Sequence, residues 1–273
     1  MNELLAEAHR FLAFQYELVG PIRFLTKLPT AHDSDVASLS SSKTSSPGDA
    51  MEIAHIDAND ASVVDAPTSP YERIEALIPS DSPLHGIDSL EELGEWLASN
   101  ILVPIDETRL NPVLGAGSPN ADVMVIGEAP GAEEDKRGEA FVGRAGKLLD
   151  DILAAINFSR EENIYIANIL KSRPPNNRDP RPDEVAAHIP MLYKQITLVK
   201  PKILLAVGKQ AGNGLLQKNV SLSSLRGVFH DYHGLPLMIT YHPAALLRNQ
   251  QWKRPTWEDV QLLRARYDEL VGG

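Results

Sequence analysis

Four segments of the chain carry side chains able to do chemistry, and each follows or ends a run of apolar, β-branched residues. Val123–Gly127 leads into Glu128-Ala129-Pro130-Gly131, with Glu133, Glu134 and Asp135 behind it. Ile164–Leu170 holds Asn168 near its end and runs into Lys171-Ser172-Arg173-Pro174-Pro175-Asn176-Asn177-Arg178. Ile203–Val207 ends in Gly208-Lys209-Gln210, and Leu235–Thr240 delivers Tyr241-His242-Pro243, then Leu246, Leu247 and Arg248. Carboxylates, an imidazole, guanidinium groups and side-chain amides with both donors and an acceptor are thus on offer. Each piece alone has a plain structural use. The Glu128–Gly131 stretch serves as a strand-to-loop turn with solvated acids, and Asn168 as a strand amide with internal partners. Phe141 reads as core, His242 as a loop cap, and Arg173, Arg178 and Arg248 as a solvated rim. Gly208–Gly214 lacks the Gly-Lys-Ser/Thr ending of a phosphate loop and reads as helix packing.

The elements that must position these residues alternate in kind. Helical patterns at Gly146–Ile156, Pro182–Val199, Gln210–Leu216 and Trp257–Leu270 lie between or after the apolar runs. Strand–helix alternation implies parallel βαβ units, hence an α/β three-layer αβα sandwich with a central four-stranded, mostly parallel sheet. Ligands in such sheets sit beyond the carboxyl ends of the strands. Acids, amide, histidine and arginines therefore converge on one edge as an active site.

Upstream, Ser89–Ala98 reads as a capped helix leading into this domain. Residues 3–26 carry helically spaced apolar positions, and the stretch from Ala31 is rich in Ser, Asp, Ala and Pro. The expected organisation is an N-terminal helical segment over residues 1–30, a disordered acidic linker over 31–70, and a catalytic domain over 71–273. The net charge of −11 is unevenly spread: residues 1–120 hold 6 Lys/Arg against 19 Asp/Glu, and residues 121–273 hold 20 against 18. A local DNA-facing surface is therefore compatible with an acidic chain. With no cysteine, the sequence excludes disulfides, thiolate zinc sites and cysteine-held iron–sulfur clusters. Neither a signal peptide nor a run of about 20 apolar residues is visible, so a cytoplasmic location and no membrane partner are expected.

In combination the motifs are far more specific. Gly127-Glu128-Ala129-Pro130-Gly131 with Glu134-Asp135, Phe141-Val142-Gly143-Arg144-Ala145-Gly146, Tyr165-Ile166-Ala167-Asn168, Arg173–Arg178 and Tyr241-His242-Pro243 fall in one order. Glu107-Thr108-Arg109 precedes them and Lys253-Arg254 follows. This pattern closely resembles family 4 uracil-DNA glycosylases over about residues 90–270.

The resemblance implies a monofunctional glycosylase that flips uracil out of single- or double-stranded DNA and leaves an abasic site. Asn168 would read the uracil edge, Phe141 would stack on the ring, and Ala129 with neighbouring backbone amides would hold the base. His242 would stabilise the anionic leaving base. Glu128 or Glu134 would orient water or stabilise the sugar cation, because the position that carries a water-positioning Asp in family 1 enzymes is Ala129. Leu246 would be the wedge filling the vacated stack, and Arg173, Arg178 and Arg248 would hold phosphates. Members of the family bind a 4Fe–4S cluster through cysteines at positions near Asn100, Val103, Ser172 and His188; none is cysteine here. The chain is therefore expected to be colourless, without metal or cofactor, and the resemblance implies a monomer. Ile101, Leu102, Val103 and Ile105 would pack the loops, with His188 an ordinary helix residue. The alternatives are the same fold with another base preference (hypoxanthine, xanthine or a modified base), or a non-catalytic lesion-binding relative. A covalently trapping branch carries a histidine loop after the second strand, and Lys171–Arg181 has no histidine.

Overall fold

The computed structural model describes residues 69–272. The segment expected to be helical over 1–30 and the linker up to residue 68 lie outside the described residues. Ser69 and Pro70, assigned above to the end of the linker, instead open a helix. Ser69 caps helix α1 (Pro70–Glu75) by accepting from the Glu72 N–H, while the Glu72 carboxylate takes the Ser69 N–H. This is a reciprocal capping box with proline at the first helical position. Ser89 caps α2 (Leu90–Ser99) through the Glu92 N–H.

Four parallel strands form the centre of the sheet: β2 (Val123–Gly127), β3 (Ile164–Asn168), β4 (Ile203–Val207) and β6 (Leu235–Thr240). β2, β3 and β4 are buried at every position, and β6 at all but Pro236. Their uninterrupted apolar runs follow from cover on both faces. Two antiparallel edge strands, absent from the expected four-stranded sheet, complete the order β1-β3-β2-β4-β6-β5. β1 (Gly115–Gly117) is Gly-Ala-Gly and carries no β-branched signal. Its glycines are required, since a Cβ on Gly117 would lie 2.2 Å from the Ile164 carbonyl. β5 (Phe229–Tyr232) forms a hairpin with β6 through His233-Gly234, both at positive φ, the signature of a two-residue primed turn.

Helices cover both faces. Val123, Val125, Ile164, Ile166 and Leu205 pack with residues of α4 (Arg144–Ala154) and α9 (Lys253–Val271). Met124, Ile126, Leu204 and Ile239 pack on the other side with α5 (Pro182–Val199) and α6 (Lys209–Leu216). Gly212 of α6 lets that helix sit against Ile239, 2.8 Å from where its Cβ would be, so this glycine stretch serves helix packing. Short helices α3 (Ala132–Arg137), α7 (Leu222–Leu225) and α8 (Pro243–Arg248) complete the set. No described helix is long and apolar enough to cross a membrane.

Candidate active site

Strand register puts Gly127 of β2 beside Asn168 of β3 at the carboxyl end of the sheet. A Cβ on Gly127 would lie 2.3 Å from Asn168 Oδ1 and 2.8 Å from the Phe141 ring. Only glycine, therefore, lets these two side chains close on the strand end. Asn168 is 1% exposed. Its Oδ1 is the one buried side-chain nitrogen or oxygen without a hydrogen-bond partner among the described residues. A buried acceptor left empty forfeits about 1–3 kcal/mol.

Phe141 is held in a left-handed conformation at φ 56°, an outlier for a bulky aromatic residue. Three neighbours enforce it. The Arg160 guanidinium donates to the carbonyls of Ala140 (2.8 Å) and Phe141 (2.7 Å) while its Nε bonds Asp150 (2.7 Å). Glu134 Oε1 accepts the N–H groups of Val142 and Gly143, both at 3.0 Å. Gly146 has no Cβ, which would otherwise fall 1.8 Å from the Phe141 carbonyl oxygen.

His242 stands across from Phe141, ring centroids 5.5 Å apart. It caps α8, its Nδ1 accepting the Ala244 N–H at 3.1 Å. That bond fixes the tautomer: Nδ1 is the acceptor, so the proton sits on Nε2. Burial, and then the nearby Arg248 charge, push the imidazole pKa down to about 4 against a smaller opposing pull from Glu134. At neutral pH the ring is an uncharged Nε2–H donor. Gly208 borders it, 3.2 Å from the His242 Cβ to where its own would be.

The two candidate glutamates differ in what occupies them. Glu134 spends both oxygens on backbone, Oε2 taking the Gly131 N–H at 3.2 Å as the cap of α3. That bond also commits the Gly131 amide, one of those expected to hold a base. Glu128 has no hydrogen bond to its carboxylate among the described residues. Burial, followed by repulsion from Asp179, raises its pKa to about 7. It opens on a groove of about 760 Å³ that also includes Ile169, Gln210 and Val185. Ala129 is half-buried and adjoins Glu128.

The expected DNA contacts separate. Leu246 is 0% exposed and belongs to the core packed against the sheet. This corrects its reading as a wedge, because the α8 turn points it inward. The next residue, Leu247, is 43% exposed on the same helix. Arg248 is exposed. Among the described residues Arg173 uses only its Nε, on Asn177. Arg178 is committed to a two-pronged pair with Glu184 at the start of α5.

Residues 114–262 match the Uracil DNA glycosylase superfamily, and the chain belongs to that family. Its relatives include the type-4 uracil-DNA glycosylase of Sulfurisphaera tokodaii, 38% identical over 65% of this chain and 84% of the relative. That of Thermotoga maritima is 39% identical over 63% of this chain and 93% of the relative. That of Archaeoglobus fulgidus is 35% identical over 68% of this chain and 95% of the relative.

The four positions expected to correspond to cluster ligands do not fit a cluster. There is no thiolate in the chain, and no three His, Cys, Asp or Glu side chains are grouped to hold a metal ion among the described residues. They surround a carboxylate instead. Asp106 Oδ2 accepts the Leu102 and Val103 N–H groups at 2.8 and 3.1 Å. Its Oδ1 takes the Ser172 hydroxyl and His188 Nε2 and lies 3.5 Å from Arg109. Arg109 also donates to the carbonyls of Leu97 and Asn100 and to Ser172. Despite burial, the hydrogen bonds from His188, Ser172 and the Leu102 N–H hold the Asp106 pKa well below the usual carboxylate range. Two expectations are thereby corrected. His188 is part of a buried polar network, and Ile101, 56% exposed, packs no loop. The sequence signal for Asp106 was weak: a carboxylate three residues past Val103, just inside a short 3₁₀ turn. Arg160, which lies in a turn outside every motif, gave none.

Proposed function

We propose that the chain hydrolyses the N-glycosidic bond of uracil in DNA, leaving an abasic site for base excision repair. The observation that carries this reading is the unpaired Asn168 Oδ1, buried between Gly127 and Phe141. A side-chain amide offers one acceptor and adjacent donors, matching N3–H and O4 of uracil. Cytosine presents the reverse pattern, and its binding would leave buried polar groups unpaired. The base reaches such a recess only by leaving the stack.

The remaining residues fit the charge changes of the reaction. Breaking the glycosidic bond places negative charge on the leaving uracil, and a neutral His242 Nε2–H donates to it where that charge develops. Its low pKa keeps the ring from acting as a strong proton donor at pH 7. Glu128 is the carboxylate for orienting water or stabilising the sugar cation, because its oxygens are uncommitted and its pKa of about 7 suits a base. Glu134 holds the Phe141 loop. Arg173 and Arg248 contact phosphates, and Leu247, in place of Leu246, enters the vacated stack. The protein works as a cytoplasmic monomer without cofactor, and the catalytic domain spans residue 69 onward.

The test is alkali-revealed cleavage of an oligonucleotide with one deoxyuridine, comparing wild type with Asn168→Asp and His242→Ala. Scission by wild type, lost or much reduced in both variants, is the expected result. No scission at high enzyme concentration rejects the reading, and an oligonucleotide set carrying hypoxanthine or xanthine then tests the shifted base preference.

A further inference from the structure

Lys171 is fully buried and forms no ion pair with any carboxylate among the described residues. Its ammonium donates to the Asn168 carbonyl at 2.6 Å and to Gln195 Oε1. Gln195 is itself fixed by donating to the Leu114 carbonyl and the Tyr165 hydroxyl. An ammonium without a counter-charge is expensive to bury. Burial lowers its pKa to about 7. A methionine would fill the same space without that cost, so the charge or its donors must serve a purpose.

The backbone shows what it serves. The Ile169 N–H points to the Gly127 carbonyl on β2. The peptide is planar and trans, so the Asn168 carbonyl points the other way, toward the β1 edge. There the last β1–β3 pair is Gly115 with Ala167. Asn168 lies one residue beyond the reach of that strand, and the Lys171 ammonium takes the place of the missing donor. Lys171 is anchored in turn: its N–H donates to His188 Nδ1 at 3.3 Å, and its carbonyl accepts from the Val113 N–H. His188 and Ser172 belong to the Asp106 network.

We propose that Lys171 is a positioning residue for base recognition, its ammonium fixing the Asn168 peptide and thereby the plane in which the Asn168 amide meets the base. The Asp106 network holds Lys171 from behind and so acts on the pocket through it. The inference rests on Asn168 reading the base, as proposed above.

Single-turnover cleavage of the deoxyuridine oligonucleotide by full-length wild type, Lys171→Met, Asn168→Ala and the double variant tests it. Lys171→Met is expected to cleave about 100-fold more slowly, the order of loss that a displacement of roughly 1 Å produces. Its melting should change little, since the cost of leaving the Asn168 carbonyl and Gln195 Oε1 without their donor is offset by removal of a buried charge that has no counter-ion. In the Asn168→Ala background the same substitution should change the rate by less than about twofold, because the residue it acts through is gone. If Lys171→Met does not fold, Lys171→Gln takes its place in the cycle, with the same direction expected. Cleavage at the wild-type rate by the position-171 variant, or a loss that multiplies with that of Asn168→Ala, overturns the proposal. Wild-type cleavage by Asn168→Ala alone identifies the failure as that of the reading of Asn168.

Discussion

Two buried polar side chains flank the loop that follows β3, and they are treated in opposite ways. Asp106 has every lone pair directed at a partner: two backbone N–H groups, a serine hydroxyl, an imidazole and a guanidinium. Asn168, equally buried, has an acceptor without a partner among the described residues. The contrast recurs in the two glutamates, Glu134 saturated by backbone and Glu128 without a carboxylate partner among the described residues. Saturated groups hold the scaffold, and it is to the groups with unused hydrogen-bonding capacity that the proposed function assigns reading and acting on a ligand. Motif membership alone does not separate them, since Glu128 and Glu134 belong to the same motif.

The comparison breaks most visibly at Asn168. Asn168→Ala should reduce single-turnover cleavage of uracil DNA by about 100-fold or more, each lost recognition or transition-state contact counting for about 2.7–4 kcal/mol. Thermal melting should hold or rise, since an unpaired acceptor is removed. A fall in stability comparable to the fall in rate would place Asn168 with the scaffold. Asp106→Ala should do the reverse and destabilise the fold by about 3–5 kcal/mol, as Arg109 is left buried without its partner. Urea titration measures this, and an unchanged midpoint would refute the scaffold role.

The glutamates sharpen the comparison through pH. If ionised Glu128 is the working form, log rate should rise with pH up to about 7 and then level off. Glu128→Gln should abolish that rise. The stability effect has the opposite sign. A carboxyl whose folded pKa lies above its unfolded one stabilises below the unfolded value, and that contribution is lost as pH rises through about 7. Glu128→Gln should therefore melt above wild type at pH 8 and with it at pH 4.5. Glu134→Gln should keep the wild-type pH profile with a lower plateau. The smallest effect belongs to the exposed leucine: Leu247→Ala should weaken binding to duplex uracil DNA several-fold and leave single-stranded cleavage nearly unchanged. Equal losses on both substrates would remove the wedge role.

The central sheet was legible because both of its faces are covered, so its strands read as unbroken apolar runs. The edge strands were not, for different reasons. β1 is built from glycines chosen for close approach to β3, which erases any side-chain pattern. β5 was betrayed only by the His233-Gly234 turn. At the site, the motif residues Asn168, Phe141 and His242 do come together, as their places after successive strands required. What the sequence could not convey was orientation. Leu246 and Leu247 are the same residue type one position apart, and a helical turn of about 100° per residue decides which faces the core. Of the hydrophobic packing expected around Ile101–Ile105, Leu102, Val103 and Ile105 do pack into the core. What went unread is the polar part, because Asp106 and Arg109, ordinary surface types, are buried by pairing with each other and with residues far along the chain.

Position 146 inherits its identity from position 141. With the Phe141 carbonyl 1.8 Å from where a Cβ would stand, any side chain at 146 forces Phe141 out of its left-handed geometry. A demand on the placement of the aromatic ring is thus passed to a helix residue five positions along the chain. In a genetic screen the two positions should behave as one locus. Substitutions of Gly146 should be inactivating, and second-site changes at Phe141 that relieve the clash should restore protein abundance while leaving repair defective.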